Sequence, residues 1–200
     1  MQIEKKIDFG FIHVPKTAGV SIHKSFRESG YELLYHIHKP YENLSYEDKQ
    51  TPIFFSVVRN PFDRIYSFYH FFLSENPNRK FLLGLEKDYT LTFSDFISKL
   101  SYFHNYIKPC WNFISESDQN KMTDILKFET LHEDFSYFAD KYKLRLELPW
   151  IHLNEDKPKI DRSQIYQDYQ IKLIEKIYNK DFQNFGYSYK SWLESDSLIS

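Results

Sequence analysis

The chain has 200 residues, of which 42% are hydrophobic and 27% charged, enough to bury the core of one globular domain, and residues 1–200 are expected to form a single domain. A formal net charge of −2 leaves no basic excess to neutralise a phosphate backbone and argues against a nucleic-acid partner. The lone Cys110 excludes an internal disulfide and a cysteine-based zinc cluster, and no apolar stretch approaches the roughly 20 residues that a membrane-spanning helix needs.

The N-terminal MQIEKKIDFGFIHV carries charges at Glu4, Lys5, Lys6 and Asp8 and no small-residue cleavage site, so a cytoplasmic chain is expected. Phe9 to Val14 is a short run of apolar, β-branched and aromatic residues stopped by Pro15, a strand entering a turn. Gly19 opens a helix through about Glu28, with Ile22 and Phe26 one turn apart, and Tyr31 to Ile37 reads as a second strand. Pro52 to Val58 (PIFFSVV) is almost wholly apolar, as a strand buried on both faces should be. A helix follows, with Asn60 as N-cap, Pro61 as first residue and Asp63 in the first turn. Phe62, Ile65, Tyr66, Tyr69, Phe72 and Leu73 form its apolar stripe, and Asn60, Asp63, Ser67, His70 and Ser74 its polar side. Phe93 to Tyr102 is predicted helical, Asp124 to Phe128 a strand, and Leu131 to Tyr142 a helix. A last long helix is predicted from near Asp161, with Gln164 placed for a capping box, to just before Gly186. Large rings supply most of the packing material, with 19 Phe, 16 Tyr and 3 Trp. Strands alternating with helices predict an α/β fold with a mainly parallel sheet, whose ligands bind beyond the carboxyl ends of the strands.

Two segments at such strand ends carry the chemistry. HVPKTAGVSI, His13 to Ile22, joins a strand to a helix. Ala18 and Gly19 let the backbone approach an anion, and the amides of Ala18, Gly19, Val20 and Ser21 lie where a helix N-terminus favours negative charge. Lys16 adds a mobile positive charge, and Thr17 and Ser21 add hydroxyls. The physics is that of a P-loop, but the lysine precedes the glycine, unlike a Walker A sequence. RNPFDRIYSFY, Arg59 to Tyr69, begins at the end of the apolar strand, where an arginine is poorly placed for packing and well placed to grip a phosphate. Local chemistry alone leaves a structural turn and an Arg59–carboxylate pair as open alternatives.

Together the two segments resemble the cofactor-binding signatures of the sulfotransferases, in the branch that includes carbohydrate and heparan-type enzymes. The first strand ends in H-x-PKTAG-x-S and a later one in VRNP-x-DR-x-x-S-x-Y, in the family's order. LKFETLHEDF (Leu126 to Phe135), LPWIHLNEDKP (Leu148 to Pro158) and DFQNFGY (Asp181 to Tyr187) extend the likeness from about Phe9 to Tyr187. The resemblance implies a P-loop-like three-layer fold, a central sheet flanked by helices, and transfer of a sulfuryl group from 3′-phosphoadenosine 5′-phosphosulfate (PAPS) to a hydroxyl of a carbohydrate acceptor. It also implies that Lys16, Thr17, Ala18, Gly19, Val20 and Ser21 cradle the 5′-phosphosulfate. Arg59 and Ser67 would hold the 3′-phosphate, and His152 and Asn154, with Lys157 and Lys159, would lie in a loop folding over the nucleotide. Two departures stand out. Val20 replaces a frequent hydroxyl residue, and Cys110 follows Lys108-Pro109 where the family often has glutamine.

Sulfuryl transfer is an in-line displacement governed by positioning and charge stabilisation. The transferred group carries less charge than a phosphoryl, and no carboxylate cluster suggests a metal site, so no metal is expected. Lys16 would stabilise charge on the bridging oxygen, while His38, or else His36, would take the acceptor's proton; His70, His104 and Glu129 are further outsiders. Rival readings are a small-molecule kinase with a degenerate P-loop and a catalytically inert nucleotide-binding protein.

Overall fold

The computed structural model describes residues 8–73, 83–86, 89–103, 107–149 and 161–195. The chain divides into two units, Met1–Arg59 with Cys110–Leu153 and Asn60–Pro109 with Asn154–Ser200.

The first unit is built on a parallel sheet of β1 (Phe9–His13), β2 (Leu34–Ile37), β3 (Ile53–Val58) and β6 (Asp124–Lys127), in the order β2-β1-β3-β6. Phe11 is in register with Tyr35 on one side and Phe55 on the other, and Val57 with Leu126. Side chains alternate across a strand. One face therefore presents Phe9, Phe11, Phe55 and Val57, which pack with Ile22 and Phe26 of α1 (Gly19–Glu28) and with Phe135 and Phe138 of α5 (Leu131–Lys141). The rings interlock, with Phe11–Phe55 centroids 4.9 Å apart and Phe55–Phe138 4.4 Å apart. Each buried phenylalanine contributes about 1.5–3 kcal/mol through lost apolar exposure, so the aromatic composition is largely core. On the opposite face Gly10 makes room for Phe54, because a Cβ on Gly10 would lie 2.3 Å from the Phe54 ring. A short helix α4 (Trp111–Ile114) leads into an antiparallel hairpin of β4 (Ser115–Glu116) and β5 (Gln119–Asn120), whose turn residues Ser117 and Asp118 both have positive φ. That pairing of left-handed residues is what a two-residue hairpin turn demands, and the Ser-Asp turn lacks the glycine that would mark it along the sequence.

The second unit contains α2 (Pro61–Leu73), α3 (Phe93–Ser98), α6 (Asp168–Ile177), α7 (Asn179–Phe185) and α8 (Tyr189–Leu193). As expected, α2 starts at Pro61, with Asn60 Oδ1 accepting from the Phe62 amide at 3.1 Å. Phe62, Ile65, Phe68 and Phe72 face a core shared with Tyr166, Ile174, Tyr178 and Trp192. Two details of that helix differ from expectation. Leu73 is exposed, and of the predicted polar side Asn60, Asp63 and Ser67 are buried, as is the neighbouring Arg64, while His70 is exposed. Distant partners explain the burial. Trp192 Nε1 donates to Asp63 Oδ1 at 2.7 Å, the Arg162 guanidinium lies 3.9 Å from the same oxygen, and Arg64 donates to the Lys108 carbonyl at 2.8 Å.

The expected long C-terminal helix is also different. Asp161 caps only a 3-10 turn, Arg162–Gln164, and the helix proper starts at Asp168, with Gln170 Oε1 accepting from the Gln167 amide at 3.0 Å. It breaks at Tyr178, whose hydroxyl donates to the Ile107 carbonyl at 2.6 Å, and resumes as α7, which ends at Gly186 with φ 70°. Among the described residues no helix is long and apolar enough to cross a membrane.

Candidate functional site

In the sheet, β2 lies on one side of β1 and β3 on the other. The chain therefore reverses direction across the sheet between β1 and β3, and a parallel sheet opens its ligand crevice at the carboxyl ends of strands flanking such a reversal. The segments leaving those ends are the ones singled out from sequence. The Lys16 loop follows β1, Arg59 follows β3, and His38 follows β2.

The loop is held in an unusual shape. Lys16 and Ala18 both take left-handed backbone conformations, with φ 67° and 61°, a strain of about 1–2 kcal/mol for each residue with a Cβ. Thr17 is fully buried between them and donates from Oγ1 to the Val14 carbonyl at 2.8 Å, so its hydroxyl proton serves the turn itself. The Ala18 carbonyl accepts from the Ser21 amide at 2.9 Å and from Ile22 at 3.2 Å. Ser21 therefore has its amide committed, leaving Gly19 and Val20 as the helix-start amides with no acceptor among the described residues. Lys16 and Ser21 are half-buried, and Val20 is exposed.

Arg59 meets this loop directly. Its Nη1 donates to the Lys16 carbonyl at 3.3 Å, and its guanidinium carbon lies 3.9 Å from the centre of the Phe128 ring. Stacking fixes the plane of the fork while leaving its edge donors directed sideways. Phe128 belongs to the LKFETLHEDF segment, but no local signal marks it as the support of an arginine 69 positions earlier.

The histidines separate. The His38 backbone turns left-handed just past β2, with φ 55°; its amide donates to the His13 carbonyl at 3.1 Å and its exposed ring sits 4.7 Å from that of His13. His36 is one register position inside the strand, opposite Ile12, and stacks near Phe54 on the face away from α1. Burial lowers its basicity, with Lys39 adding in the same sense and Asp48 opposing. His36 Nε2 is buried with no hydrogen-bond partner among the described residues. Period-2 alternation is the reason for the split, because a residue inside β2 must choose a face while one beyond it can turn toward the loop.

His13 and Tyr35 also meet at this end of the sheet, a pair that no local sequence signal marks. His13 Nδ1 lies 2.6 Å from the Tyr35 hydroxyl, and burial together with the neighbouring His38 and His23 pushes the imidazole down to about 3. The signal that could have found the pair is strand register, since Tyr35 stands opposite Phe11, two residues before His13 on the same face.

Ser67 is buried on α2 of the second unit, and His70 is exposed there beside Tyr66. Glu129 is half-buried in the 3-10 turn Phe128–Thr130. His104, His152, Asn154, Lys157 and Lys159 lie outside the described residues. Among the described residues no group of three or more His, Cys, Asp or Glu is placed to hold a metal ion.

No curated protein and no solved structure gives a significant match to the chain. A family model described as Sulfotransferase family matches residues 2–188. The match spans both motif segments, the Lys16 loop after β1 and the arginine after β3, and the chain belongs to the sulfotransferase family.

Proposed function

We propose that this protein transfers the sulfuryl group of PAPS to a hydroxyl of a carbohydrate acceptor, the whole chain acting as one P-loop-like sulfotransferase domain. The observation that carries the reading is the meeting of Arg59 with the Lys16 loop at the carboxyl ends of β1 and β3, through the 3.3 Å bond to the Lys16 carbonyl. Helix-start amides in a loop that carries Lys16 and meets Arg59 suit a ligand with phosphate groups at two ends.

In this reading the Gly19 and Val20 amides and Lys16 take the 5′-phosphosulfate, and Arg59 takes the 3′-phosphate. Thr17, Ala18 and Ser21 shape the cradle, while Ser67, His152 and Asn154 keep the roles the family likeness assigns them. The acceptor oxygen attacks sulfur as the bond from sulfur to the bridging oxygen breaks. That oxygen leaves with the electron pair on adenosine 3′,5′-bisphosphate, where Lys16 stabilises the charge. The acceptor's proton passes to His38, the exposed histidine at the loop; His36, on the other face of β2, is the weaker candidate.

The test is thermal stabilisation by adenosine 3′,5′-bisphosphate, AMP and ATP, followed by turnover with labelled donor. A hundredfold excess over the dissociation constant should stabilise the fold by about 2.7 kcal/mol with the bisphosphate, and far less with AMP. Arg59→Ala should erase most of that difference, and His38→Ala should leave binding intact while lowering turnover about 100- to 10,000-fold. Equal shifts with AMP and the bisphosphate would refute the assignment of Arg59, and a preference for ATP would point to a kinase.

A further inference from the structure

His13 ends β1 with almost its whole side chain covered, 6% exposed. Its ring edge occupies the space a side chain would need on the first residue of α1. A Cβ built on Gly19 would stand 1.9 Å from His13 Cδ2 and 2.3 Å from Nε2. The missing side chain at Gly19 thus admits a neighbouring imidazole as well as an approaching anion, and the loop Lys16–Ser21 rests on that imidazole.

The ring is held from the other edge by Tyr35. The 2.6 Å separation of the hydroxyl from Nδ1 is short for an N–H donor, whose usual distance is about 2.9–3.0 Å, and suits an O–H donor. Burial pushes the Tyr35 phenol up to about 12 and the His13 imidazole down to about 3, so both groups are neutral near neutral pH. The Tyr35 hydroxyl therefore donates to Nδ1, and the imidazole proton sits on Nε2, the nitrogen beside Gly19. Nε2 meets no acceptor among the described residues. Tyr35 is itself fixed, stacked 4.2 Å from His23 of α1 at an interplanar angle of 3° and 5.9 Å from Phe11 at 6°. This hydrogen bond ties the end of β1 to the body of β2, and the stack of Tyr35 on His23 ties both to the first turns of α1.

We propose that Tyr35 and His13 are positioning residues of the donor site: the Tyr35 hydroxyl holds the His13 ring against Gly19, and the ring sets the loop Lys16–Ser21 in the shape that receives the anionic end of the nucleotide. The inference rests on the donor-site reading of that loop. Lys16 and Ala18 are strained by their positive φ, so the loop needs a support from outside itself, and His13 is the buried group against which it closes.

Tyr35→Phe is the test, since it keeps the stacked ring and removes one oxygen. Adenosine 3′,5′-bisphosphate should bind about tenfold more weakly, the upper range for one neutral hydrogen bond. His13→Phe should weaken binding similarly, and the double variant should lose no more than the worse single one, as two parts of one device do. A lowered melting temperature with unchanged nucleotide affinity in the folded protein would make the pair structural only and overturn the proposal. Hydrogen exchange of the Ser21 amide in the ligand-free protein provides a second measurement, expected to quicken about tenfold in Tyr35→Phe as its bond to the Ala18 carbonyl loosens. Unchanged exchange would overturn the proposal too. If the wild type fails to bind the bisphosphate, the donor-site reading falls, while the exchange measurement still decides whether the pair shapes the loop.

Discussion

Gly19→Ala adds one methyl at the most crowded point of the site. The new carbon would stand 1.9 Å from His13 Cδ2, where carbon contacts settle at about 3.5–4.0 Å, so something must yield by well over an ångström. The imidazole has little freedom to do so, being tied to Tyr35 at 2.6 Å, stacked 6.1 Å from Phe11 and set 4.7 Å from His38. Overpacking costs about 1–3 kcal/mol, and displacing the ring breaks a hydrogen bond worth about 0.5–1.5 kcal/mol, giving a loss of about 1.5–4.5 kcal/mol in all. Urea unfolding followed by tryptophan fluorescence would measure it in the wild type, Gly19→Ala, His13→Ala and the double variant. With the ring removed, the methyl has space, and alanine is the better helix former by about 1 kcal/mol. Gly19→Ala should then cost less than about 1 kcal/mol or even stabilise. Gly30→Ala is the control, because nothing lies within 4 Å of its added carbon and only the strain of φ 72° opposes it, about 1–2 kcal/mol. An equal cost of Gly19→Ala in the wild-type and His13→Ala backgrounds would refute the steric account.

The remaining predictions concern pH and the second unit. His13 is held near 3 in the folded state against about 6.5 in the unfolded one, so above pH 6.5 neither state binds the proton and between 6.5 and 3 only the unfolded state does. Stability should thus fall as pH drops through that window, by up to about 1.4 kcal/mol per pH unit from this group. Burial shifts His23 and His36 in the same direction, so the informative comparison is His13→Phe, whose acid limb should be shallower; an identical limb would mean His13 titrates normally. Asp63→Asn retains an acceptor for Trp192 but removes the negative charge 3.9 Å from the buried Arg162. It should destabilise by about 3 kcal/mol in urea, and a loss below 1 kcal/mol would mean that the Trp192 and Ser195 carbonyls satisfy Arg162 by themselves.

Much of the fold was legible because its causes act over a few residues. The apolar run before Arg59 is short and rich in β-branched and aromatic residues, as a buried strand is, and Asn60 followed by Pro61 starts α2 by local capping and a preset φ. The same holds for α1, predicted from Gly19 to about Glu28 and found as Gly19–Glu28. Local signals also mislead where a distant partner outbids them. Asp161 with Gln164 looks like a helix start and caps a single turn, and Asp63 looks solvent-facing until Trp192, 129 residues away, covers it. For the site, the sequence alone supplied the lysine loop, the arginine and a pair of histidines. Only the tertiary structure decided that His38 turns to His13 while His36 faces Phe54, and that Arg59 reaches the Lys16 carbonyl. The Tyr35–His13 bond was decided there as well. Composition, capping and periodicity are short-range and can be read along the chain, whereas a side chain's partner across a parallel sheet depends on register, which is set only when the strands pair.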